Sequence, residues 1–112
     1  PCSKGNQIRD FLYVSDAINF IYKIMIGKDV GKIFNLGSGK RIKVRNLIED
    51  IVKECRGGTP LFGRIKFRKD ELLYLYPSIS LALSKKWKPL INLKKGLKLT
   101  VNYFKKNYKY EK

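Results

Sequence analysis

The residues best suited to chemistry in this chain of 112 residues include a glycine-rich turn at 37–40, Gly-Ser-Gly-Lys. The backbone amides of such a turn can hold a phosphate group, and the lysine adds positive charge. A P-loop also needs a glycine five positions before its final glycine and a serine or threonine after its lysine. Phe34 and Arg41 stand in those places. The spacing therefore predicts a tight glycine turn that ends a strand.

Thiol and metal chemistry are limited by composition. The chain has two cysteines, Cys2 and Cys55, and no histidine, which excludes Cys–His catalysis and histidine-ligated metals. Two cysteines are too few for a disulfide framework and lack the paired spacing of a zinc site. Cys55 falls on the apolar side of a predicted helix, so we expect a buried free thiol, no metal and a reducing cytoplasm.

A Tyr-x-x-x-Lys pair occurs once, at Tyr108 and Lys112. A tyrosine that transfers a proton must be held close to its substrate, and a nearby cation must lower its pKa. The last residues of a lysine-rich tail fray and cannot supply that rigidity. We therefore predict no catalytic residue in this chain.

A formal net charge of +16 raises the alternative of a nucleic-acid-binding domain. Basic binders concentrate charge on one face or arm, often with interleaved aromatic residues. Here lysine is spread from Lys4 to Lys112, which is typical of a solvated surface, so nucleic acid is the less favoured partner. The apolar stretch 17–26 is interrupted by Asn19 and Lys23 and is shorter than the ~20 residues of a membrane span, so we expect no membrane partner.

The elements predicted from this pattern form one α+β domain over residues 1–112. Strand-forming or alternating residues predict short strands at 8–14, 31–36, 41–44 and 63–68. Apolar residues at helical spacing predict helices at 17–26, 45–56, 78–84 and 93–107. Ser15 or Asp16 is expected to cap the first helix, which should be well buried, and Asn92 to cap the last. Tyr13 is expected in the core.

Five segments share their order and spacing with one enzyme family. They are RDFLYVSD at 9–16, FNLGSG at 34–39, RKDE at 68–71, WKP at 87–89 and NLKKGL at 92–97. Together they resemble the C-terminal substrate-binding lobe of the extended short-chain dehydrogenase/reductases, the NAD-dependent epimerase/dehydratase family that acts on nucleotide sugars. The resemblance covers nearly the whole chain. Two positions depart from the family pattern, since Lys86 replaces a usual glycine before the tryptophan and Ser78 replaces a common aspartate.

This resemblance implies a substrate site for a nucleotide diphosphate sugar. It assigns Arg9 and Arg68 to the diphosphate and Glu71 to the ribose. The chemistry suits these roles, because an arginine donates paired hydrogen bonds to phosphate and a carboxylate accepts from hydroxyls. Two alternatives stay open: Arg9 could pair only with its neighbour Asp10, and Asp70 could act in place of Glu71.

The resemblance also implies what lies outside the chain. In the complete enzyme, NAD(P) would bind to an N-terminal Rossmann-type domain, whose Gly-x-Gly-x-x-Gly fingerprint is absent here. We therefore expect a C-terminal fragment that binds no cofactor and is inactive alone, from an epimerase, dehydratase or ketoreductase. The expected setting is the cytoplasmic synthesis of precursors for polysaccharide or cell-envelope glycans such as lipopolysaccharide. A stand-alone interaction module is the second alternative.

A fragment of this kind is expected to be a homo-oligomer. In the family, the 31–36 strand joins the edge of the Rossmann sheet and the 17–25 helix packs against that domain. Separated from it, both would expose unpaired backbone groups and apolar side chains. We expect two copies to cover them through Ile18, Phe20, Ile21 or the Ile33–Phe34 strand.

Overall fold

The secondary structure is an α+β arrangement, as predicted, in a computed structural model that describes residues 1–108. Its elements are β1 (Ile8–Arg9), α1 (Val14–Met25), β2 (Ile42–Lys43), α2 (Val44–Cys55), α3 (Ser80–Ser84) and α4 (Leu93–Asn107). The two short strands pair antiparallel, with Ile8 opposite Lys43 and Arg9 opposite Ile42. No helix among the described residues is long and apolar enough to cross a membrane.

The core lies between α1, α3 and the segment that follows α3. Phe20, Ala82 and Trp87 are buried together. The rings of Phe20 and Trp87 meet edge to face at 5.1 Å between centroids, a favourable aromatic geometry. A second contact joins α2 and α4. There Tyr13 packs over Gly96, where an added Cβ would lie 3.1 Å from the Cδ2 atom of the ring.

Asp16 has a different role from the predicted helix cap. Tyr13 is the N-cap of α1, and no side chain caps that end. The Asp16 carboxylate is buried and accepts hydrogen bonds from the amides of Leu90 and Ile91, at 3.0 and 2.9 Å. Its backbone carbonyl accepts a third from Trp87 Nε1. The carboxylate turns away from its own helix because two amides just before α4 need an acceptor.

The helix predictions are otherwise confirmed: the bounds of the last helix agree, and the ends of the others shift by at most three residues. Asn92 caps α4 as expected, since its side chain accepts from the amide of Lys95 at 2.9 Å. The chain leaves α2 through Arg56 in the left-handed region, at φ 57°, just before the predicted Gly57 stop. Cys55, however, is exposed and free, not buried, and no residue of α2 is fully buried.

Two predicted strands are wrong. Residues 31–36 form no ladder among the described residues: the one backbone hydrogen bond of this segment is local, from Lys32 to Asp29, and Ile33 is 87% exposed. Residues 63–68 are turns and irregular backbone, and Gly63 has φ +78°. The second neighbour of β1 lies further along the chain, at Tyr74, which forms a single parallel bridge with Ile8.

The first helix is less buried than its apolar sequence predicts. Only Asp16 and Phe20 of α1 are buried. Its opposite face is apolar and exposed, and consists of Val14, Ile18, Ile21, Tyr22 and Met25. A patch of this kind on a helix marks a surface that another protein segment usually covers. Phe20 is buried in the chain's own core, so it cannot serve as the contact residue expected above.

Candidate functional site

Arg9 is held in β1 beside the segment that contains Glu71. The amide of Ile8 donates to the Leu73 carbonyl at 2.7 Å, which draws residues 71–75 alongside the strand. The Arg9 guanidinium then donates to the carbonyls of Ile8, Leu72 and Leu73 at 2.9, 2.8 and 3.4 Å. Its fourth bond, from Nη2, reaches Glu71 Oε1 at 3.0 Å. The structure thus brings together two of the three predicted site residues.

Glu71 is positioned by a short turn and by Gln7. Its amide donates to the Arg68 carbonyl at 3.1 Å, which places the carboxylate on the β1 side. Gln7 Nε2 donates to Glu71 Oε1 at 3.4 Å and to Ser3 Oγ at 3.4 Å. The Glu71 side chain remains 23% exposed. A partly exposed carboxylate in an ion pair can both hold an arginine and accept from a ligand hydroxyl.

The side chains of Arg68, Asp70 and Asp10 form no hydrogen bond or ion pair with Arg9 or Glu71 in the described part of the chain. The Arg68 side chain is exposed and forms no hydrogen bond or ion pair with residues 1–108. Asp70 is also exposed, and Glu71 is the carboxylate that contacts Arg9. The other alternative, a pair between Arg9 and Asp10, is not formed, because Asp10 turns to the opposite side of the strand.

Asp10 binds the glycine-rich turn. Its Oδ1 accepts from the amide and the hydroxyl of Ser38, both at 2.6 Å, and its Oδ2 accepts from the amide of Gly39 at 2.8 Å. At Gly37, an added Cβ would lie 2.5 Å from Asp10 Oδ2 and 2.7 Å from Pro77 Cγ, so a larger residue does not fit. The amides that could grip a phosphate are occupied by this carboxylate. The turn is structural, as its spacing predicts.

From the sequence, the one role predicted for Asp10 is a surface ion pair with Arg9. The sequence does contain both parts: the carboxylate of Asp10, which directly follows β1, accepts hydrogen bonds, and the amides of a Gly-Ser-Gly turn donate them. Nothing in the local pattern, however, states that residues 28 positions apart meet.

The chain lacks the Gly-x-Gly-x-x-Gly loop, and the amides of its one Gly-Ser-Gly turn are engaged by Asp10. The Tyr108 and Lys112 pair cannot be assessed as geometry, because Lys112 lies outside the described residues; Tyr108 itself is 53% exposed.

Comparisons with known proteins indicate the class to which the chain is similar. No protein-family model matches the chain. A protein of Methanocaldococcus jannaschii assigned as a UDP-glucose 4-epimerase is 39% identical over 105 residues, which cover 92% of this chain and 33% of that protein. The crystal structure of UDP-glucose 4-epimerase from Thermotoga maritima with UDP-glucose is 31% identical, with a TM-score of 0.78, over 91% of this chain and 33% of the other.

A third similarity adds the cofactor of the relatives. The crystal structure of UDP-glucuronic acid 4-epimerase from Bacillus cereus with NAD is 25% identical, with a TM-score of 0.78, and the match covers 97% of this chain and 35% of the other. This chain is therefore homologous to the NAD-dependent nucleotide-sugar epimerases and dehydratases of the extended short-chain dehydrogenase/reductase family. It spans about a third of the length of the relatives it matches.

Proposed function

We propose that this chain is the C-terminal substrate-binding lobe of a nucleotide-sugar epimerase, dehydratase or ketoreductase, and that it holds the nucleotide diphosphate end of the substrate. The observation that carries the proposal is the meeting of Arg9 and Glu71, 3.0 Å apart, on β1 and the segment beside it. A cation for phosphate and an acceptor for ribose hydroxyls are then adjacent on one surface. Arg68, three residues before Glu71 and exposed, supplies a second cation.

The remaining two thirds of the enzyme complete the reaction in this proposal. NAD(P) supplies hydride transfer when bound to the Rossmann-type domain, and residues of this chain bind and orient the substrate. The names of the relatives, which include epimerases of UDP-sugars, support the substrate class. We extend the proposal to precursor synthesis for polysaccharide or cell-envelope glycans in the cytoplasm.

Titration of the isotopically labelled chain with UDP, CDP, GDP and dTDP sugars tests this function. Half of a site leaves much of the ligand in water, so we expect a dissociation constant no tighter than roughly millimolar. NMR shifts should map to β1 and residues 68–75. Arg9→Ala and Arg68→Ala should each weaken binding, while Lys98→Ala, an equal loss of charge on the exposed side of α4, should not. Unchanged binding by both arginine variants would refute the site.

A further inference from the structure

The Arg9 guanidinium has no free hydrogen on its two terminal nitrogens. Each of these nitrogens carries two N–H groups. Nη1 donates to the carbonyls of Ile8 and Leu73, and Nη2 donates to the carbonyl of Leu72 and to Glu71 Oε1. A phosphate that binds the fork of this arginine must therefore replace one of its four present partners.

Glu71 is the partner that can leave. The three carbonyls belong to backbone that is fixed by the ladder, since Ile8 donates to Leu73 at 2.7 Å and accepts from Leu75 at 3.1 Å. The Glu71 contact is made by a flexible, partly exposed side chain. It is also the one anionic partner, so an incoming phosphate repels it and competes for the same donor.

We propose that Glu71 is an exchangeable partner of Arg9 and sets the site's preference for nucleotides over bare diphosphate. Without ligand, Glu71 occupies the guanidinium. A nucleoside diphosphate displaces it and offers ribose hydroxyls to the released carboxylate. Inorganic pyrophosphate also displaces Glu71 but offers it no hydroxyl. The lost ion pair is then not replaced, so pyrophosphate binds more weakly than a nucleoside diphosphate. This inference rests on the proposed function, in which Arg9 binds the diphosphate.

The variant Glu71→Gln separates the two ligands. Loss of the ion pair frees Arg9, so pyrophosphate should bind roughly two- to fivefold tighter, the range of a partly exposed ion pair. UDP should gain no such advantage, because the neutral amide is a weaker acceptor for the ribose hydroxyls. The ratio of UDP affinity to pyrophosphate affinity should therefore fall by roughly two- to fivefold. Asp70→Asn is the matched control: the charge change is the same, the residue is adjacent and exposed, and the ratio should stay constant.

A second readout follows the carboxylate itself. Pyrophosphate added to the parent chain should shift the Glu71 side-chain carbon resonance as the ion pair breaks, with a smaller change at Asp70. Glu71→Asp keeps the charge but shortens the reach by one methylene, and it should also favour pyrophosphate, so that a folding defect in Glu71→Gln would not hide the effect.

Three outcomes decide the proposal. A lower affinity ratio in both Glu71 variants, with an unchanged ratio in Asp70→Asn, supports exchange. If Arg9→Ala weakens both ligands while the ratio in Glu71→Gln equals that of the parent, the exchange is refuted and the binding site stands. If Arg9→Ala and Arg68→Ala bind both ligands like the parent, the proposed function fails, and the exchange fails with it.

Discussion

The substitution Asp16→Ala should destabilise this chain more than any other single change at a carboxylate. Asp16 is 2% exposed and accepts two backbone hydrogen bonds, at 3.0 and 2.9 Å, from Leu90 and Ile91. These bonds tie the segment before α4 to α1. Alanine removes the shared acceptor and leaves both amide donors without a partner from the chain.

The size of the effect follows from those two bonds. Hydrogen bonds to a charged group contribute about 1.5–3 kcal/mol each, so two give about 3–6 kcal/mol. Leu90 is 68% exposed and both hydrogen bonds are only partly buried, so water can replace part of the lost interaction. We therefore expect the free energy of unfolding to fall by about 2–4 kcal/mol, which is a large part of the roughly 5–15 kcal/mol that stabilises an ordinary domain. Asp16→Asn keeps an acceptor oxygen and should lose about half as much.

Urea denaturation followed by tryptophan fluorescence measures this directly. Trp87 is the one tryptophan in the sequence, and its ring donates to the Asp16 carbonyl and packs against Phe20. It therefore reports on the affected contact without a label. Asp50→Ala is the control, because Asp50 forms only an exposed pair with Lys53 at 3.6 Å, and its loss should change stability by less than about 1 kcal/mol.

The reasoning is refuted if Asp16→Ala unfolds at the same urea concentration as the parent chain with the same slope. That result would mean that water satisfies both amides fully and that the carboxylate does not hold α1 to the start of α4. A shift equal to that of Asp50→Ala would lead to the same conclusion.

Three further predictions concern backbone strain, pH and assembly. Lys86→Gly should raise the free energy of unfolding by about 1 kcal/mol, seen as a higher urea midpoint, because Lys86 has φ 54°, where a side chain is strained. A lower midpoint would contradict this. Hydrogen bonds from Lys32 and, second, from Lys85 lower the pKa of Asp29. The stability that these bonds contribute is therefore present above the ordinary aspartate pKa and is lost as the pH falls through the lowered pKa of Asp29. In Lys85→Met, carbon NMR should show a higher Asp29 pKa. The chain should sediment as a dimer or larger oligomer at high concentration and Ile18→Lys as a monomer, since Ile18 is 57% exposed on the apolar face of α1; a monomeric parent chain would refute the assembly.

Helices were predictable from sequence because their hydrogen bonds are local. Asn92 marks the start of α4, and the apolar spacing after it predicts which side of the helix packs on the rest of the chain. Strands depend on a partner distant in sequence. The 31–36 segment has the composition of a strand, yet no described segment pairs with it through backbone hydrogen bonds, and the bridge to β1 comes from Tyr74 instead.

For the site, the residue types came from the sequence by resemblance, and the relation between them came from the fold. The roles of Arg9, Arg68 and Glu71 stay predictions, and their chemistry suits phosphate and ribose. The structure adds that Arg9 and Glu71 contact each other, that Arg68 lies apart in the solvent, and that Asp10 is bound to a turn 28 residues away.

The amino-acid sequence by itself indicated the resemblance to nucleotide-sugar epimerases and dehydratases, the absence of a dinucleotide fingerprint and the helices, because motifs and helical periodicity are short-range properties. Tertiary structure alone decided which side chains are already occupied. In the sequence Asp16 is a possible helix cap, but in the fold its carboxylate binds the amides of Leu90 and Ile91. Likewise, the donors of Arg9 bind residues 71–73 because that segment lies beside β1. Such long-range pairings depend on the burial of the whole chain, because a buried polar group takes whichever partner the packing brings within reach.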